Sequence, residues 1–145
     1  MPTHPITWHQ GVVDQFLHSL TMPAVRQALS REVLEAPAAL HREWEWLGRT
    51  DSGASRVGII DRVVIEEGDA SDRRAMVIDW KTDQVPTGQH AGHAERYRDQ
   101  LNAYRAAVGG LAGLDASSIR CAVLFVRDGI CVELDPEGDA SDSDR

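Results

Sequence analysis

The chain has 145 residues, with 15 Lys and Arg against 23 Asp and Glu, and a formal net charge of −8. That is the length of one ordinary domain with a modest core, which argues against two functional domains. No apolar run approaches the roughly 18 residues of a membrane span, no basic-then-apolar leader opens the chain, and two cysteines cannot make a disulfide scaffold.

A soluble, cytoplasmic protein with Cys121 and Cys131 reduced in its core is therefore expected. The acidic balance argues against a broad, nonspecific binder of phosphate backbones. From Asp135 onward, however, DPEGDASDSDR carries five acids and one arginine, which is −4 of the −8. This tail, 135–145, is expected to be disordered.

Residues 8–35 place Val13, Phe16, Leu17 and Leu20, then Val25, Leu29, Val33 and Leu34, at helical spacing. Two helices broken near Pro23 are predicted, the second closed by Pro37. Residues 1–38 thus form an N-terminal helical segment ahead of a core spanning 39–134.

Leu40–Leu47 alternates as a strand, with Trp44 and Trp46 on one face and Glu43 and Glu45 on the other. Val57–Ile65 and Ala75–Trp80 are β-branched strands joined by a polar hairpin connection. Residues 83–92, with a proline and two glycines, read as a loop. A helix is predicted from about His93 to Val108, with Tyr97, Gln100, Leu101, Tyr104 and Val108 on one face. After a Gly-rich turn at 109–113, Ile119–Val126 and Ile130–Leu134 complete the pattern, joined at Arg-Asp-Gly.

Asp79 and Lys81 lie two apart on a strand, so they leave one face while Ile78 and Trp80 leave the other. A hairpin centred near Ala70 puts Asp61 opposite Asp79, with Cβ atoms roughly 4.5–5.5 Å apart. Two carboxylates so close need a positive charge between them, and a hard divalent cation such as Mg²⁺ meets that need with oxygen ligands. Such an ion supplies Lewis acidity toward a phosphoryl oxygen and toward water, and Lys81 would orient the nucleophile and counter developing charge. D-x-K alone is common on exposed edges and in surface salt bridges.

The ordered set GIIDRVV, AMVIDWKTD and YRDQLNAYRAAV is more specific. Over roughly residues 40–135 it resembles the C-terminal nuclease domain of RecB/AddA-type helicase-nucleases, a branch of the PD-(D/E)XK nuclease superfamily. The resemblance implies a restriction-endonuclease-like α/β core, with a central mixed sheet of about five strands flanked by helices. It makes Asp61 and Asp79 ligands of Mg²⁺ or Mn²⁺, with the main-chain carbonyl of Trp80 as a further ligand, and Lys81 the catalytic lysine.

The family's Q-x-x-x-Y signature falls on Gln100 and Tyr104, preceded by Tyr97, on a helix thought to position DNA and the lysine. Tyr97 and Tyr104 could equally be core aromatics. Thr82 and Asp83 match the usual continuation. The implied activity is a DNA nuclease, expected to be an exonuclease of repair or recombination acting on single-stranded or end-containing DNA. The chain would be a fragment or stand-alone relative of a helicase-nuclease.

Relatives carry a further metal ligand, His or Glu, on a helix upstream of the first strand. Here Gln15 takes that place, and Asp14, His18, His41 and Glu43 are the candidates to replace it, each with an ordinary structural reading. A catalytically impaired module for DNA binding or complex assembly is therefore the alternative, and an unrelated α/β domain the third reading. No G-x-x-x-x-G-K-[ST] loop exists for ATP, two cysteines cannot hold an iron–sulfur cluster or a zinc knuckle, and His90 and His93 read as loop residues.

Overall fold

The computed structural model describes residues 7–34, 37–49, 52–69 and 72–136. Most of the acidic tail expected to be disordered, 137–145, lies outside them, as does the centre of the hairpin connection at 70–71. Helices α1 (Thr7–Ser19) and α2 (Pro23–Leu29) come first, with Pro23 opening α2 at the position where a missing N–H costs nothing. Contrary to expectation, α2 does not run to Pro37. It stops at Leu29, where Ser30 turns extended, and a 3₁₀ turn follows at Arg31–Leu34.

Five strands make one mixed sheet in chain order: β1 (Ala38–Arg49), β2 (Ser55–Glu66), β3 (Ala75–Lys81), β4 (Ile119–Phe125) and β5 (Ile130–Leu134). The β3–β4 pair is parallel and the others antiparallel. A parallel pair requires a crossover, and residues 82–118 provide it. That crossover departs from the predicted loop and helix. Helix α3 (His90–Ala94) forms inside the expected loop, a 3₁₀ turn holds Glu95–Tyr97, and α4 (Arg98–Ala112) continues through Gly109 and Gly110 before ending at a left-handed Gly113.

The sheet separates two apolar layers. On one side Val63, Ile65, Val77, Cys121, Val123 and Phe125 pack against Leu101, Tyr104 and Val108 of α4. On the other, Val64, Met76, Ile78, Ala122 and Leu124 pack against Val25 and Ala28 of α2 and Leu34. The buried guanidinium of Arg105 ties α4 to the sheet by donating to the carbonyls of Ile119 at 3.0 Å and Leu134 at 2.7 Å. Both cysteines are free, and burial pushes the Cys121 thiol up to about 12.

One irregularity matters for the site. The β1–β2 register runs from Ala38↔Glu66 to Arg49↔Ser55 and omits only the position where Glu43 meets Asp61. Leu40 packs on the α2 side but Trp44 and Trp46 on the α4 side, although strict alternation would keep all three together. On β2, Ile60 shares the α4 side with Val63 at odd spacing. The pleat therefore shifts by one residue in both strands at one step. Glu43, with φ 48°, is the only non-glycine of positive φ among the described residues and takes up that shift. Beyond it, Trp46 lies flat on the hairpin, where a Cβ at Gly58 or Gly48 would come within 2.4 or 2.3 Å of its indole.

Candidate active site

The β2–β3 ladder runs from Ile65↔Ala75 to Arg62↔Ile78, the register expected of a turn centred near residue 70. Its next step would pair Asp61 with Asp79, but there the pleat shift draws β2 away. The Trp80 N–H, which an uninterrupted ladder would bond to a backbone carbonyl, donates instead to Asp61 Oδ2 at 3.0 Å. The Asp61 carboxylate stands in for the lost strand and is held beside Asp79, within hydrogen-bonding reach of its carboxyl group.

Asp79 is 3% exposed. Its Oδ2 lies 2.7 Å from Lys81 Nζ, yet no donor is aimed at that oxygen along a hydrogen-bond direction. A buried carboxylate oxygen in this state is costly unless a further positive partner joins it. Asp61 shows the same deficit: its pKa rises to about 6, first through burial and also through the charge of Asp79, against the lowering effect of the Trp80 N–H. Without a cation, the raised pKa lets the pair keep a proton up to about pH 6. Two oxygen donors, one buried and lacking a directed partner, fit a hard divalent ion by their chemistry.

Lys81 is fixed from three directions. Beyond Asp79, it donates to Gln100 Oε1 at 3.2 Å, and its ammonium lies 4.3 Å from the centroid of the Tyr97 ring. Gln100 donates in turn to the Tyr104 hydroxyl at 2.7 Å, which donates to the carbonyl of Ile59 at 3.1 Å. The five side chains singled out from sequence, Asp61, Asp79, Lys81, Gln100 and Tyr104, thus converge on the α4 side of the sheet. Tyr104 also meets Trp46 edge to face at 6.2 Å, so it packs in the core as well as bonding Gln100. Burial, then the Asp79 charge, raises its phenol pKa.

Chain and family now meet. The model of the PD-(D/E)XK nuclease superfamily matches residues 7–139. The chain belongs to this superfamily. No curated protein matches it individually. PD-(D/E)XK proteins are nucleases that typically use divalent metals, and the five-stranded mixed sheet with flanking helices agrees with their restriction-endonuclease-like α/β fold.

The upstream ligand expected from the resemblance has no counterpart at the carboxylates among the described residues. Among the described residues no group of three or more His, Cys, Asp or Glu comes together. Asp14 accepts a hydrogen bond from Gln10 on α1, and His41 stacks on Trp44. Gln15 lines a cavity of about 400 Å³ with Phe16, Ser19, Thr82, Val126 and Arg127, at the end of β3 rather than over the carboxylates.

Sequence reading passed over a network behind Lys81. Asp83 accepts hydrogen bonds from the Tyr97 hydroxyl and lies 2.8 Å from His93 Nε2. The Tyr97 bond first, then His93, holds Asp83 below the usual carboxylate range, while the bond to Asp83 pushes Tyr97 up to about 12. His90, also 2.8 Å from its acid, Asp128, and His93 both set their rings edge-on toward Phe125. They are thus helix residues paired to acids rather than the loop residues expected. Asp83 shares the parity of Asp79 and Lys81, the one sequence signal for this network. Nothing in the sequence marks His93 as its partner.

Proposed function

We propose that the chain hydrolyses DNA phosphodiester bonds with a divalent cation, Mg²⁺ or Mn²⁺, held by Asp61, Asp79 and the main-chain carbonyl of Trp80. The observation that carries this reading is the Asp79 Oδ2 oxygen, buried beside a second carboxylate and approached by Lys81 at 2.7 Å, yet with no donor along a hydrogen-bond direction. When bound, the ion supplies Lewis acidity toward the scissile phosphate and water.

The chain's own residues do the rest. Asp61 must lose its proton before the pair can act as ligands, and the Trp80 N–H helps by bonding the ionised form. Lys81 holds a positive charge over the carboxylates, where it can orient the attacking water and meet charge developing on the phosphate. Gln100 and Tyr104 fix the lysine's direction through the bonds described above. By resemblance to the RecB/AddA type, the mode is exonucleolytic and the setting is repair or recombination with a helicase domain or subunit.

The test is cleavage of end-labelled single-stranded DNA with Mg²⁺, Mn²⁺ or EDTA. Asp79→Ala and Lys81→Ala should each lose at least about a hundredfold in rate, and a variant as active as wild type overturns the assignment. A circular single strand that resists digestion supports the exonuclease mode, and one that is cut rejects it.

Among the described residues, the lack of a third acidic or histidine partner at the carboxylates favours a second reading, a nuclease-fold module without turnover. Metal titration separates the two. A working site gains thermal stability with Mg²⁺ or Mn²⁺ as RT ln(1 + [L]/Kd), and an impaired one gains little.

A further inference from the structure

Edge strand β1 presents a second pair of side chains beside the carboxylates. His41 and Trp44 stack with centroids 4.6 Å apart and planes at 28°. Strict alternation would place residues three apart on opposite faces, and the pleat shift at Glu43 brings these two rings together. They pair with Val63 and Ile60, so they bracket Asp61 one strand spacing away, roughly 5 Å.

Trp44 packs partly against the α4-side core, while His41 is exposed, and among the described residues no strand lies beyond β1 in the sheet. A ring pair that served only to fill the core would be closed over as Trp46 is, at 8% exposure.

The surrounding charge says what such rings can receive. Arg42, Glu43 and Glu45, the charged neighbours of the two rings along β1, are all exposed, so this stretch carries one base against two acids and is not a basic face for phosphates. A flat, uncharged π-face suits it, and every nucleobase has one, whatever the sequence. Bases in a duplex are already stacked on one another, so only an unpaired strand can use the rings without first being opened.

We infer that His41 and Trp44 form a stacking platform that seats an unpaired nucleobase while a phosphate of the same strand lies over the place where Asp61 and Asp79 would hold a cation. The inference rests on the nuclease reading and adds the residues that would hold the unpaired strand. It also reconciles an acidic chain with a nucleic-acid substrate, because stacking supplies affinity without a basic face.

The experiment is fluorescence anisotropy of the whole chain in EDTA with a short labelled oligothymidylate, beside a labelled duplex of equal length. Trp44→Ala should weaken oligothymidylate binding by about tenfold, and Trp44→Phe should recover most of it. His41→Ala, at an exposed position that cannot unfold the core, should weaken it by about threefold. Duplex binding and the salt slope should stay unchanged in all three.

Unchanged oligothymidylate binding by Trp44→Ala and His41→Ala overturns the platform, as does a loss shared equally by the duplex. If the wild type cleaves DNA with Mg²⁺ while Trp44→Ala binds normally, the platform falls and the nuclease reading stands. A wild type that neither binds nor cleaves overturns both.

Discussion

The two faces of β3 make opposite uses of one strand. Toward α2 it offers Met76 and Ile78, buried in a layer made mainly of aliphatics, with Cys131 at its margin. Toward α4 it offers Ala75 and Val77 and then, at the end of the same row, Asp79 and Lys81. The α2 layer supplies stability with little chemistry, whereas the α4 layer gives up apolar contact at its edge to hold a buried carboxylate pair. The difference teaches where binding energy for a cation can come from: oxygens left short of partners on a strand that the opposite face holds rigid.

The largest expected effect exchanges those roles. Ile78→Ala removes a fully buried side chain from the α2 layer and should cost about 2–5 kcal/mol of stability, while the surviving folded protein keeps its cleavage rate. Asp79→Ala should instead abolish cleavage at a smaller cost in metal-free melting temperature, since it relieves the repulsion with Asp61 while leaving Lys81 without its carboxylate. Chemical denaturation together with single-turnover cleavage checks both. If Ile78→Ala lowers the folded protein's rate as far as Asp79→Ala does, the division of labour between the faces is wrong.

The second effect is smaller and depends on pH. Asp61 has its folded pKa raised from 3.8 to about 6, so its contribution to stability is complete below the unfolded value and is lost as pH rises through about 6. In EDTA, Asp61→Asn should therefore stabilise the fold at pH 7.5, on the order of 1–2 kcal/mol, and make little difference near pH 4. With saturating Mg²⁺ the advantage at pH 7.5 should reverse, because the ion needs the ionised carboxylate. Melting curves across pH with and without metal decide it, and an Asn variant that is less stable than wild type in EDTA at pH 7.5 contradicts the proton-for-cation picture.

Much of this was legible in the sequence because it follows from periods of two. The parity of Asp79 and Lys81 and a hairpin centred near residue 70 gave the register found in the β2–β3 ladder. Gln100 and Tyr104, four apart on α4, share a face through the helical period, and Gln100 bonds both Lys81 and the Tyr104 hydroxyl. What escaped were features decided by distant partners. The shift at Glu43 carries no glycine or proline signal, because it arises where a twelve-residue edge hairpin leaves the sheet. Helix α3 hid in a stretch rich in loop formers, HAGHA following a proline and a glycine, and is pinned by the His90–Asp128 and His93–Asp83 pairs across the fold. The early end of α2 at Ser30 was likewise invisible, since Val33 and Leu34 keep an apolar pattern in the 3₁₀ turn that follows.

The smallest effect probes how the α4 face positions its lysine. Tyr97 offers Lys81 the face of its ring and offers Asp83 its hydroxyl, and the two contributions can be separated. Tyr97→Phe keeps the ring under the ammonium and loses only the link to Asp83 and His93. Tyr97→Leu loses both. A cation–π contact of this kind is worth about 0.5–2 kcal/mol, so Tyr97→Leu should lower kcat by roughly threefold to thirtyfold, with KM for DNA little changed. Tyr97→Phe should stay within about twofold of wild type, because the ring is still held in place by the turn at Glu95–Tyr97. If the two variants fall together, the hydroxyl and its Asp83–His93 network, rather than the ring, hold the lysine, and His93→Ala should then reproduce the loss.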